Sequence, residues 1–255
     1  MPLIASWNVN SVRVRLPHVL RVLKRYDLDL LAIQETKVQN ALFPHEAFTA
    51  RGYHVLYHGQ KSYNGVAIIS KEKLTPFQNY LPGLRSDPEC RFQSVMWRKL
   101  LIVNVYVPMG QALDSVKYEY KLKWLNKLAL FLKKALLENG EIIVLGDFNI
   151  APDDEDVHDP ELWRDQLICS LNERNILNKI SRLGFHDSFR LFKQKKQNFS
   201  WWDYRFQAFT YNRGLRIDHI LVSDKLKIRA KAAYIDKRAR SWQRPSDHAP
   251  VFLQL

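Results

Sequence analysis

Short apolar runs recur along the whole chain, separated by polar punctuation and by stretches of helical period. Eight of these runs have strand length and a bias toward β-branched and aliphatic residues: Leu3–Asn8, Asp29–Gln34, Val66–Ser70, Phe92–Trp97, Leu101–Val107, Glu141–Gly146, Ile217–Val222 and Val251–Leu255. The segment "YHVLYHG" also alternates like a strand, so His54 and His58 are read as strand positions rather than metal ligands. A helix is predicted over Leu16–Arg25, with Leu16, Val19, Leu20 and Leu23 on one face. A longer one covers Val116–Glu138, where Leu122, Leu125, Leu128, Ala129, Leu132, Ala135 and Leu136 form a stripe that stops at Asn139-Gly140. A third helix is expected across Trp163–Leu183.

Several strand candidates are almost continuously apolar, as central strands covered on both faces are. Strands lie at both ends of the chain and helices between them, with no linker, repeat or low-complexity tract. These features predict one α/β domain over residues 1–255, with sheets packed together and helices outside.

Composition narrows the partner. A hydrophobic fraction of 46% supports a full core, and a net charge of +13 calls for a polyanion, nucleic acid before an anionic membrane surface. No apolar stretch approaches the ~20 residues of a membrane span, and "MPLIASWNVN" lacks a basic segment ahead of a signal-length apolar core. Cys90 and Cys169 are isolated, with neither a disulfide framework nor metal-ligand spacing. A cytoplasmic protein is expected.

The candidate chemistry lies where the strands end. "LIASWN" ends at Asn8 with Asn10 beyond it, "DLLAIQE" at Glu35, "LIVNVYVP" at Tyr106, and "IIVLGDFN" at Asp147 and Asn149. Asp218 starts the run "DHIL", and Asp247 and His248 precede the last strand. A polar residue at a strand end is ordinary, but carboxylates, amides, a tyrosine and a histidine converging on one rim would suit phosphodiester hydrolysis. Hard divalent cations take carboxylate and carbonyl oxygens, neutral amide or hydroxyl donors stabilise the phosphorane-like centre, and a carboxylate can act on the attacking water.

The motifs "SWNVNSVR", "LAIQETK", "YHGQKSYNGVAIISK", "GDFNIAP", "FSWWDYR", "NRGLRIDHIL" and "SDHAPV" span nearly the whole chain. Together they resemble the exonuclease III family of abasic-site endonucleases, within the endonuclease/exonuclease/phosphatase superfamily. The resemblance implies a four-layered α/β sandwich, two packed mixed β-sheets flanked by helices. It implies a monomer that uses Mg²⁺, with Mn²⁺ as an alternative, to cut duplex DNA 5′ to abasic sites, clean blocked 3′ ends and degrade strands 3′ to 5′. A bacterial-type cytoplasmic protein reaching the nucleoid through DNA follows.

Carried over by position, the resemblance makes Glu35 the principal metal ligand, with Asn8 and Asp247. Asp147 acts on the attacking water or the leaving group, and Asn149 donates to the scissile phosphate. Asp218 holds His248, which contacts a phosphate oxygen, and Tyr106 acts at the phosphate or leaving group. Asn10, Arg13, Lys37, Lys61, Arg91 and Arg216 become DNA contacts. Trp201 and Trp202 flank the pocket for an extruded sugar, one of them packing into the core. The loop "DVHDPELW" either touches DNA through His158 or caps a helix through Asp159-Pro160. Met109 stands where relatives carry an amide, and His219 where they carry an apolar residue. Three rival readings remain: a 3′–5′ exonuclease with little abasic-site cleavage, a nonspecific nuclease or phosphatase of the superfamily, and a DNA-binding protein without catalysis.

Overall fold

The computed structural model describes residues Met1–Leu255. Its strands are β1 (Leu3–Asn8), β2 (Leu30–Gln34), β3 (His54–His58), β4 (Val66–Ser70), β5 (Leu74–Gln78), β6 (Phe92–Trp97), β7 (Leu100–Tyr106), β8 (Ile142–Asp147), β9 (Phe185–Asp187), β10 (Asp218–Ser223), β11 (Ala232–Ile235) and β12 (Val251–Gln254). The helices are α1 (Val12–Arg25), α2 (His45–Thr49), α3 (Val116–Asn139), α4 (Pro160–Trp163), α5 (Leu171–Ser181) and α6 (Asp224–Lys227).

Two six-stranded sheets form, in the orders β11-β12-β1-β2-β4-β3 and β5-β6-β7-β8-β10-β9. Both are mixed: β1 with β2 and β7 with β8 run parallel, and the other pairs are antiparallel. Strand alternation assigns the layers. Ile4, Leu30, Ala32 and Ile68 of the first sheet meet Val95, Ile102, Ile143, Leu145 and Ile220 of the second in one buried cluster. The opposite faces turn outward: Ala5, Trp7, Leu31 and Ile33 onto α1 and α2, and Leu101, Val103, Ile142 and Val144 onto α3 and α5. The order helix, sheet, sheet, helix is the four-layered sandwich expected from the sequence.

One polar link crosses the inter-sheet layer. Asn104 of β7 donates to the carbonyls of Ile33 (3.1 Å) and Ala67 (3.0 Å) and accepts from Gln34 (2.8 Å), fixing the offset of the two sheets just below their polar rim. A buried amide must find such partners or cost stability, so it admits few alternative registers.

The third predicted helix is corrected. Asp165 (φ 53°) and Ile168 (φ 79°) leave the right-handed region and break it into α4 and α5. The new start is a capping box: Ser170 Oγ accepts from the Glu173 amide (3.3 Å) and Glu173 accepts from the Ser170 amide (3.0 Å). Asp159 caps α4 by accepting from Leu162 N (3.1 Å), with Pro160 next in sequence, so the capping role of that loop is formed.

Candidate active site

The rim begins in the register of the second sheet. Tyr106 pairs with Asp147 across β7 and β8, and Asp147 with Asp218 across β8 and β10. Three functional side chains therefore lie side by side on one line of the pleat. Gly146 makes this possible. It has φ 147°, and a Cβ there would lie 1.9 Å from the Val105 carbonyl oxygen, so only glycine lets β8 approach β7 this closely. In the first sheet, Asn8 and Gln34 are register partners at the same end, and Glu35 follows directly.

Asp147 lies at the centre. Its Oδ1 accepts from the Asn149 backbone amide (2.9 Å) and its Oδ2 from Asn8 Nδ2 (2.9 Å). His248 Nε2 lies 3.8 Å from the same Oδ2. Burial pushes the Asp147 carboxyl up to about 7, because His248 and the two hydrogen bonds only partly offset lost hydration and the nearby Asp218. Asn149, on left-handed backbone (φ 49°), donates its side-chain amide to Val107 O (2.9 Å).

His248 Nδ1 and Asp218 Oδ2 are 2.9 Å apart. Burial alone would lower the imidazole pKa, but Asp218 and Asp147 outweigh it and raise it to about 10, so Nδ1 donates to Asp218 and Nε2 carries a proton toward Asp147. Ser200 Oγ accepts from the Ile217 and Asp218 amides (3.1 Å each), and Trp7 Nε1 donates to His248 O (2.9 Å). The dyad is thus anchored by β1 of the first sheet and by the segment carrying Ser200. Burial, then Glu35 and Asp147, hold the Tyr106 phenol well above its ordinary pKa, so it is protonated and able to donate.

The far side of the rim is a chain of contacts. Glu35 pairs with Lys37 (2.9 Å), Lys37 donates to Asn10 Oδ1 (2.7 Å), Asn10 donates to Asp247 Oδ1 (2.9 Å), and Trp201 Nε1 donates to Asp247 Oδ2 (3.0 Å). Against the cost of burial, His248, Asn10 and Trp201 keep the Asp247 carboxyl below its ordinary pKa. Asn10, Glu35 and Lys37 share positive φ with Asn149 (44°, 55° and 52°). Such strain persists where the surroundings over-determine it.

The donor set suits a hard divalent cation. Asp147, Asp218 and His248 bring ligand atoms within 4.8 Å of one another, and Asp218 Oδ1 is buried without a hydrogen-bond partner. The remaining donors nearby are oxygens of Glu35, Asn8 and Asp247, with no thiolate among them. A charged His248 repels a cation, which leaves the oxygens as the holding atoms.

One expected DNA contact, Arg216, is corrected, and one of the two tryptophans packs into the core as expected. Arg216 is 1% exposed. Its guanidinium is bound to Asp156 (2.6 and 3.1 Å), Asp187 (2.7 Å) and His219 Nδ1 (3.0 Å), so the basic residue of "NRGLRID" is an internal clamp. His219 completes it: with burial and Arg216 lowering its pKa, it is neutral, and Nε2 donates to Ile150 O (2.8 Å). Trp202 is fully buried among Phe199, Ala208 and Ala249, while Trp201 points its indole at Asp247. Alternation along an extended segment separates the two. Arg13 is exposed on α1 without a partner at the site, whereas Arg15 reaches it. Arg15 donates to Asn10 O (2.5 Å), the Tyr204 hydroxyl (3.1 Å) and Pro245 O (2.8 Å). Residues two apart on a helix face different ways, a signal that distinguishes Arg15 from Arg13. Lys61 is exposed, and the half-buried Arg91 pairs with Glu89 and stacks on Tyr106 (4.7 Å). Beside them opens a cleft of about 620 Å³, lined by Tyr63, Arg91, Met109, Lys117 and Tyr120, adjacent to the rim rather than on it.

A family model described as the endonuclease/exonuclease/phosphatase family matches residues 5–248. Exodeoxyribonuclease III of Haemophilus influenzae is 35% identical, with 98% of each chain covered. A 3′ phosphatase from Neisseria, solved with a product DNA hairpin, superposes with a TM-score of 0.97 at 40% identity, covering 100% of this chain and 99% of that one. An AP endonuclease from Archaeoglobus fulgidus gives 0.95 at 36% identity, again over 100% and 99%.

Proposed function

Since the chain belongs to the endonuclease/exonuclease/phosphatase family, we propose that it is a metal-dependent DNA-repair hydrolase, processing 3′ termini of duplex DNA and cutting 5′ to abasic sites. The observation that carries this reading is the lateral register Tyr106, Asp147, Asp218, closed by the His248–Asp218 hydrogen bond (2.9 Å).

In this reading Asp147 orients and deprotonates the attacking water, which suits a carboxyl with a pKa near 7. Asn149 gives its amide to the scissile phosphate. His248, held charged by Asp218, donates through Nε2 to a phosphate oxygen, and the protonated Tyr106 donates beside it. Glu35, Asn8 and Asp247 supply oxygens for a hard cation, Mg²⁺ or Mn²⁺. Once bound, that cation neutralises charge at the phosphate and the leaving oxygen. The exposed basic residues gather the duplex, and Trp201 borders the space for the sugar. The protein acts as a monomer.

A second reading, 3′-end processing with little abasic-site cleavage, is favoured by the likeness to the 3′ phosphatase at a TM-score of 0.97. One side-by-side assay separates them. Purified protein with Mg²⁺ or Mn²⁺ is given duplexes bearing an internal abasic site, a recessed 3′ hydroxyl and a 3′ phosphate. Turnover on all three supports the full reading, and turnover on the last two alone supports the second. Intact substrates throughout would overturn both, and equal cutting of undamaged internal DNA would make the protein a nonspecific nuclease.

A further inference from the structure

A fully buried ion pair lies directly behind Asn149. Lys121 of α3 and Glu173 of α5 are both 0% exposed and paired to each other. The ammonium has three protons and meets three acceptors: Glu173 Oε1, the Asn149 carbonyl (2.7 Å) and the Met109 carbonyl (3.2 Å). Glu173 is equally occupied, accepting from the Ile168 amide (3.2 Å) and the Ser170 amide (3.0 Å).

Burying this pair costs desolvation at both ends, and apolar residues of the same size are often as stable. Core packing alone therefore does not account for it. What an apolar residue at 121 could not do is hold two carbonyls. One belongs to Asn149, whose backbone is left-handed and whose amide is proposed to meet the phosphate. The other belongs to Met109, in the segment after β7 whose Val107 carbonyl receives that same Asn149 amide (2.9 Å).

We infer that Lys121 is a positioning residue for the reaction: its ammonium fixes the Asn149 and Met109 carbonyls, and so sets the aim of the Asn149 amide. Lys121 touches no reacting atom and acts through Asn149. The inference rests on the proposed role of Asn149.

A double-mutant cycle tests it. Lys121→Met combined with Glu173→Gln removes both charges and leaves no buried ion unpaired, and Gln at 173 still serves the capping box. Melting temperature and steady-state kinetics on a 3′-phosphate duplex are measured in the wild-type and Asn149→Ala backgrounds. The expected result is a kcat loss of about 30-fold in the wild-type background with KM within about 3-fold, and a loss under about 3-fold in the Asn149→Ala background. Glu173→Gln alone keeps the ammonium on its two carbonyls. It should lower the melting temperature while leaving kcat within about 3-fold of wild type. A purely structural pair predicts otherwise: equal losses in both backgrounds, or a kcat loss for Glu173→Gln as large as for the pair, would overturn the inference. If the Met/Gln pair does not fold, Lys121→Gln with Glu173→Gln replaces it. The shorter neutral amide cannot hold both carbonyls, so kcat should again fall in the wild-type background and little in the Asn149→Ala background, and equal losses in both would overturn the inference. An Asn149→Ala variant as active as wild type would instead overturn the role of Asn149 itself.

Discussion

Asp147 and Glu35 are both rim carboxylates, yet their surroundings divide the labour. Asp147 is buried, bound by two amides and faced by the His248 imidazolium, so it holds or releases a proton near pH 7. Glu35 is more open and meets only the flexible ammonium of Lys37, which can move aside. Glu35→Ala should therefore lose activity in a way that excess Mg²⁺ or Mn²⁺ partly restores, because a lost ligand weakens metal affinity. Asp147→Asn keeps the shape but loses the base, so kcat should fall by about 10²–10⁴-fold while DNA affinity is retained. Titrating metal against activity for both variants checks the split, and equal rescue would contradict it. Residue types and strand-end positions in the sequence were enough to nominate this set. They were not enough for Arg216, which reads as one more cation in a basic chain until three-dimensional packing reveals Asp156 and Asp187 around it. Lys121 was hidden for the same reason: at helical spacing a lysine reads as solvated, and its acid lies on another helix.

At the scale of elements, the eight strands legible in the sequence are the eight interior strands of the two sheets. The edge strands β5, β9 and β11 were missed, and the fourth edge, β3, showed only alternation. Interior strands are covered on both faces and so carry long apolar runs, whereas edges are short, polar or interrupted, like β5 with Pro76. The Arg216 clamp ties the start of β10 to β9 and to the loop after β8, which makes it a likewise unwritten feature of the elements. It also makes stability depend on acid. His219 is held neutral by burial and Arg216, so its folded pKa lies below its ordinary 6.5, and folding becomes less favourable as pH falls below 6.5. The Asp156 carboxyl is depressed too: burial opposes this, but Arg216 and Arg190 outweigh it. Its contribution is complete above the ordinary aspartate value of 3.8 and is lost as pH drops through the lower folded value. The Asp147 carboxyl, raised to about 7, gains stability over the same range, so the His219 contribution is read as a difference. The melting temperature of wild type relative to His219→Leu should drop as pH falls below 6.5, and both proteins should lose stability below pH 4, as read by circular dichroism across pH.

Taken as a whole, the molecule separates its charges by depth. Several acids are consumed internally, as Glu173 is by Lys121 and Asp156 and Asp187 by Arg216, and the rim carboxylates are oriented toward chemistry. The cations that give the net charge of +13 are mostly exposed lysines and arginines with no acid beside them. That exterior attracts a polyanion over distances longer than any hydrogen bond, while the reacting centre is sheltered by both sheets. Binding and turnover should therefore respond differently to salt. Each neutralised phosphate releases condensed counterions, so raising salt from 50 to 200 mM should weaken duplex affinity by about 10³-fold or more if about six phosphates are contacted. Single-turnover cleavage of DNA already bound should change far less, because the His248–Asp218 and Asp147 interactions are buried and little screened. Measuring Kd by anisotropy and the cleavage rate at saturating enzyme across the same salt series separates the two. A cleavage rate that fell in parallel with affinity would mean that exterior charge also shapes the reacting geometry, against the division by depth.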